Sequence, residues 1–366
     1  MHDADVLVVG GGAAGIAAAR SLVARGRSVL LLERASIGHA GASSGGPTRI
    51  FRLAYDHPDY VRMARAALER WRALEDDAGE PLLVTTGGVD VGSGAPTAAD
   101  ALAAAGESSA WASGAAIVER WPALRLRADE RALVQEDAGI CLADRTIAAL
   151  ARLAREGGAD LREGARVASV RARGDGVAVV VDGATLTAPV AVVAAGAWTR
   201  SLLPDLGLPL VPTLEQVTYL ELDEDLACPA FIDWTPDGAA TPYAVPDPTT
   251  PRHLKVALHA SGPAIDPETA SREPDPVRLE RATSHARDRY APHRVLATET
   301  CLYTMSPDED FVLDRRGPIV VASPCSGHGF KFTPLLGDLI ADLATGRGPA
   351  VPLDRFSLAR FAAVRD

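Results

Sequence analysis

Gly10-Gly11-Gly12-Ala13-Ala14-Gly15 constrains this chain more than any other stretch, because of what flanks it. An apolar run, Asp5 to Val9, leads into it, and an Ala-rich segment, Ala13 to Ala24, leads out. A second apolar run, Val29 to Leu32, follows and ends in Glu33. That order predicts strand, glycine turn, helix, strand, the βαβ unit of a parallel sheet. Gly10 permits the tight turn, Gly12 lets backbone approach a pyrophosphate, and Gly15 allows helix and strand to pack closely. The helix start then offers free N–H groups and a partial positive charge to the phosphates. Glu33 falls where a carboxylate hydrogen-bonds a ribose diol and repels a phosphate placed on it. The loop alone leaves NAD and FAD open; its N-terminal position, with a late C-terminal return, leans toward FAD.

At 366 residues the chain exceeds the usual size of a single core, so two domains sharing an interface are expected. A net charge of −11 argues against nucleic acid as the main partner. An anionic small substrate stays open, since the field in a cleft is independent of net charge. No apolar run approaches a membrane span, and the segment from Met1 to Asp5 lacks the features of a signal peptide. Cys141, Cys228, Cys301 and Cys325 are widely spaced without a CxxC pair, so neither a disulfide framework nor a metal site is expected. A soluble cytoplasmic protein is the resulting expectation.

Further along, Ser43 to Pro47 is a polar turn. Tyr60 to Leu74 is predicted helical, with Val61, Ala64, Leu68 and Trp71 on one face. Beyond Pro81 the texture becomes short β-like pieces. Ile147 to Arg155 reads as helix, Arg166 to Val181 as a hairpin, and Pro189 to Ala195 as an apolar strand ending in Gly196-Ala197-Trp198. Pro204 to Arg294 reads as a second sheet domain, including Val217 to Leu222 and Leu254 to His259. Pro334 to Leu343 closes the pattern as a helix. The expected fold is α/β with two domains. A discontinuous cofactor domain takes residues 1–83, 141–209 and 316–366; a substrate domain on a mixed or antiparallel sheet takes residues 84–140 and 210–315.

Two further stretches carry chemistry. Arg49 and Arg52 in Thr48-Arg49-Ile50-Phe51-Arg52 fall on neighbouring sides of one helical turn or extended bend, among apolar residues. An arginine drawn inward needs an anion, and a carboxylate is its best geometric match. Near the other end, Cys301-Leu302-Tyr303-Thr304 and Ser326-Gly327-His328-Gly329-Phe330-Lys331 bring a thiol, an imidazole and an amine close to a glycine turn.

Together with Val6 to Glu33, Ala54-Tyr55, Gly196-Ala197-Trp198 and Lys255 to His259, these stretches resemble the D-amino-acid-oxidase-like flavoproteins. Within that superfamily the resemblance is to the monomeric sarcosine oxidase and N-methyltryptophan oxidase group. It implies a Rossmann-like FAD domain and an FAD tethered by an 8α-S-cysteinyl thioether, here at Cys301. FAD contacts are implied at Gly10, Gly12, Gly15, Glu33, Ser44, Thr48, Arg49, Val167, Gly196, Trp198, Tyr303, Gly327, His328, Gly329, Phe330 and Lys331. Arg52 and Lys331 match the pair that clamps a substrate carboxylate. Lys255 matches the lysine proposed to activate oxygen, and Arg49 the one lying against the flavin ring. Tyr243 and His259 match residues lining the substrate cavity, and His328 sits in the turn near the flavin; each histidine orients the substrate amine or shapes the pocket.

The implied activity is oxidation of a carboxylate-bearing secondary amine, an N-methyl or cyclic amino acid, by a monomer that passes electrons to O2. A dehydrogenase with another acceptor and a non-catalytic flavin-binding subunit are the alternatives. Gly45 where sarcosine oxidases carry histidine, His57 and Cys325 depart from the family pattern and leave the substrate open.

Overall fold

A computed structural model describes residues 2–234 and 240–364. Residues 235–239, inside the expected substrate domain, and the chain ends lie outside the described residues.

Val6–Val9 is buried on both faces because its side chains alternate between two cores. Val6 and Val8 face a helical layer, while Leu7 and Val9 face a small sheet. This strand pairs in parallel with Val29–Leu32 on one side and Val190–Val193 on the other. The whole sheet has six strands in the order Val312–Arg316, Ile319–Ser323, Val190–Val193, Val6–Val9, Val29–Leu32, Asp160–Arg162. Only Val312–Arg316 runs antiparallel within it. The helices Ala13–Val23, Ala143–Glu156 and Thr333–Thr345 supply one cover. Ala13–Val23 meets Thr333–Thr345 so closely that a Cβ on Gly337 would lie 2.6 Å from the Ala17 carbonyl oxygen. The strands Val167–Arg173, Gly176–Val181 and Ala184–Ala188 cover the other face.

The second large sheet has eight strands, in the order His293–Met305, Val211–Leu222, His253–His259, Thr241–Pro246, Ala230–Trp234, Gly88–Gly92, Arg131–Gln135, Ala110–Ser113. All pairs are antiparallel except Ala230–Trp234 with Gly88–Gly92. The chain therefore has the expected mixed α/β architecture with two large sheets.

A three-stranded sheet, Thr48–Phe51, Gly139–Leu142 and Leu83–Thr85, lies apart from both. The arginine segment is thus extended, with Arg49 opposite Cys141, and Arg52 follows directly after the strand. The helix Pro58–Ala78 outruns the predicted Tyr60 to Leu74 at both ends. Pro58 occupies its first turn, His57 accepts the Asp59 N–H at 3.2 Å, and Gly79 ends it in the left-handed region. Among the described residues no helix is long and apolar enough to cross a membrane.

Candidate active site

A cavity of about 2010 Å³ is lined by residues of both large sheets and of the polar turn between them. On the first-sheet side stands the glycine loop. Gly10 has φ +103°, and a Cβ there would lie 2.5 Å from the Ala194 carbonyl oxygen. Gly12 caps the helix Ala13–Val23, whose Ala13 N–H donates to Ser44 Oγ at 3.0 Å. Gly15 sits one turn further in, where a Cβ would fall 1.9 Å from the Gly10 carbonyl oxygen. It serves the packing of the loop and does not line the cavity. The buried Glu33 carboxylate accepts from Gly11 N–H at 2.7 Å and Ala35 N–H at 2.9 Å. Gly196, Trp198 and Val167 continue this wall. Arg34 lies over the Trp198 ring at 4.4 Å and forks onto Glu268 at 2.7 and 3.2 Å.

Arg49 satisfies its guanidinium with backbone oxygens, donating to Thr48 at 2.8 Å, Ser43 at 3.0 Å and Gly45 at 2.5 Å. This fastens the polar turn and aims the group toward Phe330, 5.7 Å from its ring centre. Thr48 is buried and does not line the cavity; its carbonyl also accepts from Lys255 Nζ. Arg49 and the Lys255 amine thus share one carbonyl. Burial, with Arg49 adding to it, holds the Lys255 amine well below the ordinary lysine range. Cys301, opposite Glu215 in the second sheet, is pushed up by burial while Arg49 and Lys255 pull it down.

Arg52 and Lys331 converge on Tyr55. The Arg52 guanidinium lies 4.6 Å from the centre of that ring, and Lys331 Nζ donates to its hydroxyl at 2.8 Å. Lys331 is 5% exposed, also donates to the His328 carbonyl at 2.7 Å, and is fixed by the Trp71 indole bonding its own carbonyl at 2.7 Å. Burial first, and then Arg52, drives its pKa well below the usual value. Arg52 donates to the Ala54 carbonyl at 2.6 Å and stands 3.8 Å from Asp90.

His259 and Tyr303 have ring centres 5.5 Å apart. Burial, with Arg52 and Lys331 opposing a further positive charge, lowers His259 to about 4, so its imidazole is neutral at ordinary pH. Tyr243 is pushed up to about 12 by burial and stays protonated. Gly327, at φ +78°, must be glycine because a Cβ would strike the Tyr303 ring. Gly329 lies as close to the Pro324 carbonyl. The His328 imidazole lies in the same wall and stacks on Phe311, with ring centres 4.7 Å apart.

Every other residue expected at the site lines this one cavity. Sequence reasoning passed over Asp90, Trp234, Arg34 and Glu268. Asp90 was detectable as an acid alternating with valines in Gly88-Val89-Asp90-Val91, a pattern that ordinarily marks a wet face. Here that face is covered, and Asp90 is 1% exposed. Burial raises its pKa to about 6 against the pull of Arg52.

The family described as FAD dependent oxidoreductase (DAO) matches residues 5–343. The monomeric sarcosine oxidase of Streptomyces avermitilis is 32% identical over 382 aligned positions, covering 98% of each chain. The N-methyl-L-tryptophan oxidase of Salmonella heidelberg is 29% identical, over 98% of this chain and 99% of the relative. Among solved structures, NikD, an unusual amino acid oxidase essential for nikkomycin biosynthesis, matches with a TM-score of 0.87 and 28% identity over 98% of both chains. With its glycine loop, its late return strand and a match spanning nearly its whole length, the chain belongs to the FAD dependent oxidoreductase family.

Proposed function

We propose that the chain is a flavin-dependent oxidase of a secondary amine bearing a carboxylate, of the N-methyl or cyclic amino acid class, yielding an imine and hydrogen peroxide. The observation that carries this reading is the pair Arg52 and Lys331. They come from distant segments, meet at Tyr55, and line the same cavity as the glycine loop. An arginine and a buried amine held there suit a carboxylate in a way that one exposed lysine does not.

The residues present fit FAD. Gly10 and Gly15 let the loop close tightly, since a Cβ at either would strike a main-chain carbonyl, the helix start faces the cavity, and Glu33 stands ready for a ribose. Gly10, Gly12, Ser44, Val167, Gly196 and Trp198 would hold the nucleotide end; Arg49, Tyr303, Gly327, Gly329 and Phe330 would hold the ring end. Cys301 would tether the ring by a thioether. When bound, FAD supplies a two-electron acceptor for the carbon next to the amine nitrogen.

The chain's own residues do the rest. Arg52 and Lys331 bind the carboxylate and so fix which C–H bond is presented, a positioning effect that can supply several kcal/mol. Tyr243 and the neutral His259 wall the substrate and add no competing charge. Lys255 places an ammonium where negative charge develops on oxygen. The division into a cofactor domain and a substrate domain, and a monomeric state, belong to the same proposal. In that division Val312–Arg316 joins the cofactor domain, because it pairs within the first sheet.

The test is a peroxide assay with sarcosine, N-methyl-L-tryptophan and pipecolate, alongside acid precipitation of the purified holoprotein. Peroxide formation and a yellow pellet are expected. Flavin reduction without peroxide would instead make the chain a dehydrogenase, and a colourless pellet would remove the thioether at Cys301.

A further inference from the structure

Lys331 begins a row of hydrogen bonds that runs along the cavity wall to an exposed turn. Its Nζ donates to the Tyr55 hydroxyl at 2.8 Å, and that hydroxyl lies 3.3 Å from His328 Nδ1. On the far side of the ring, His328 Nε2 lies 3.1 Å from the carbonyl oxygen of Glu309, in an exposed turn. A carbonyl only accepts, so in the charged form of Lys331 Nε2 carries the imidazole proton and Nδ1 accepts from Tyr55. Donor and acceptor therefore alternate in one sense along the whole row. The rings are held in place: Tyr55 stacks on Tyr60 at 5.0 Å and His328 on Phe311 at 4.7 Å.

We propose that Tyr55 and His328 form a proton relay that charges and discharges Lys331 as a carboxylate enters and leaves the clamp. This rests on the clamp assigned above and deepens it. Lys331 is buried beside Arg52, so without an anion its ammonium form is disfavoured and with one it is needed. Nζ is buried and bonded to the Tyr55 hydroxyl, so a proton reaches it by way of that hydroxyl.

The step balances without any redox partner. On discharge, Nζ gives a proton to the Tyr55 oxygen, Tyr55 gives its own to Nδ1, and the Nε2 proton leaves to water at the exposed turn. Lys331 becomes a neutral amine while Tyr55 and His328 each pass a proton without keeping one. Discharge leaves the imidazole proton on Nδ1; charging starts there, with Nε2 taking a proton from water, Nδ1 giving its own to the Tyr55 oxygen, and Tyr55 giving its own to Nζ. Burial keeps His328 neutral at rest and keeps the Tyr55 hydroxyl protonated, as such a conduit requires. The other groups facing the row are Arg52 and His259 beside Lys331 and His328, Cys141 beside Lys331, and Asp56 beside Tyr55. Tyr60 also faces it, but its hydroxyl is committed to Asp310 at 3.0 Å.

The test mixes holoenzyme with methoxyacetate, a carboxylate without an amine, in weak buffer containing a pH indicator. Flavin absorbance reports binding and the dye reports protons. The wild type is expected to take up a proton in step with binding. In Tyr55→Phe, which keeps the ring, and in His328→Asn, uptake should lag binding by about 10²-fold. Affinity in both should change by about tenfold or less. Uptake at the wild-type rate in both variants overturns the relay, as does a wild type that takes up no proton. Affinity that falls in proportion to the uptake rate assigns the two residues to structure instead. If methoxyacetate does not bind, the clamp and the relay fall together. The amine-oxidase reading fails separately, when methoxyacetate draws a proton but none of the three amines reduces the flavin anaerobically.

Discussion

Lys255 and Lys331 show how burial sets the job of a single residue type. Both amines are held far below the ordinary lysine range, yet their surroundings differ. Lys331 has a hydroxyl and a carbonyl around it and looks toward Arg52. Lys255 shares the Thr48 carbonyl with Arg49. Replacing Lys255 by methionine removes the charge and keeps the apolar stem, so the strand should remain packed. We expect Lys255→Met to leave anaerobic flavin reduction within a few-fold of wild type and to slow reoxidation by O2 by about 10²-fold. Stopped-flow absorbance measures both halves, and an unchanged reoxidation rate would remove Lys255 from the oxygen reaction. The chemistry-bearing side chains were legible because arginine, lysine and cysteine stand out against apolar or glycine-rich neighbours. Asp90 was not, because an acid in an alternating strand looks the same in sequence whether its face is wet or covered.

At the scale of elements, the glycine turn and the helix after it depend on backbone contacts that no side chain can share. The space at Gly15 is closed by the Gly10 carbonyl, 1.9 Å from where a Cβ would stand. Gly15→Ala should therefore cost about 1–3 kcal/mol, since the contact is with main chain and cannot relax by a rotamer change. Chemical denaturation measures that loss, and the purified variant should carry less flavin than the wild type. Retention of full stability and flavin content would contradict the packing role of Gly15. This unit was legible from end to end, because run, turn and run are contiguous. The sheet of Thr48–Phe51, Leu83–Thr85 and Gly139–Leu142 was not, since its strands are three or four residues long and far apart. Helix ends moved for a local reason: His57, Pro58 and Gly79 fix where Pro58–Ala78 starts and stops, whereas apolar periodicity only marks its buried stripe.

At the scale of the whole molecule, a buried carboxylate makes folding sensitive to pH. Asp90 has a folded pKa of about 6 against an ordinary value of 3.8, so its raised value works against the folded state once the group ionises. Its contribution is fully present below about pH 4 and is lost as the pH rises through about 6. Compared with Asp90→Asn, the wild type should lose about 2 kcal/mol of stability between pH 4 and pH 7.5. Urea titrations of both proteins at pH 4 and pH 7.5 measure the difference, and a gap that does not change with pH would refute it. Strand order is the other property that exists only at this scale. The two-sheet architecture followed from the changing texture of the sequence. The neighbours of Val190–Val193, drawn from residues 6–9 and 319–323, did not, because pairing partners leave no mark on each other's local pattern.

That strand order has a consequence for how the protein is made. Val190–Val193 is wholly buried, and the slot beside it is filled by Ile319–Ser323. The helix Thr333–Thr345, which packs on the glycine-loop helix, emerges later still. A growing chain therefore carries an open, apolar sheet edge from the emergence of Val193 until Ile319 follows, the kind of surface that chaperones shield. Closure of the nucleotide pocket, and with it acquisition of the flavin, waits until residues 319–345 have emerged.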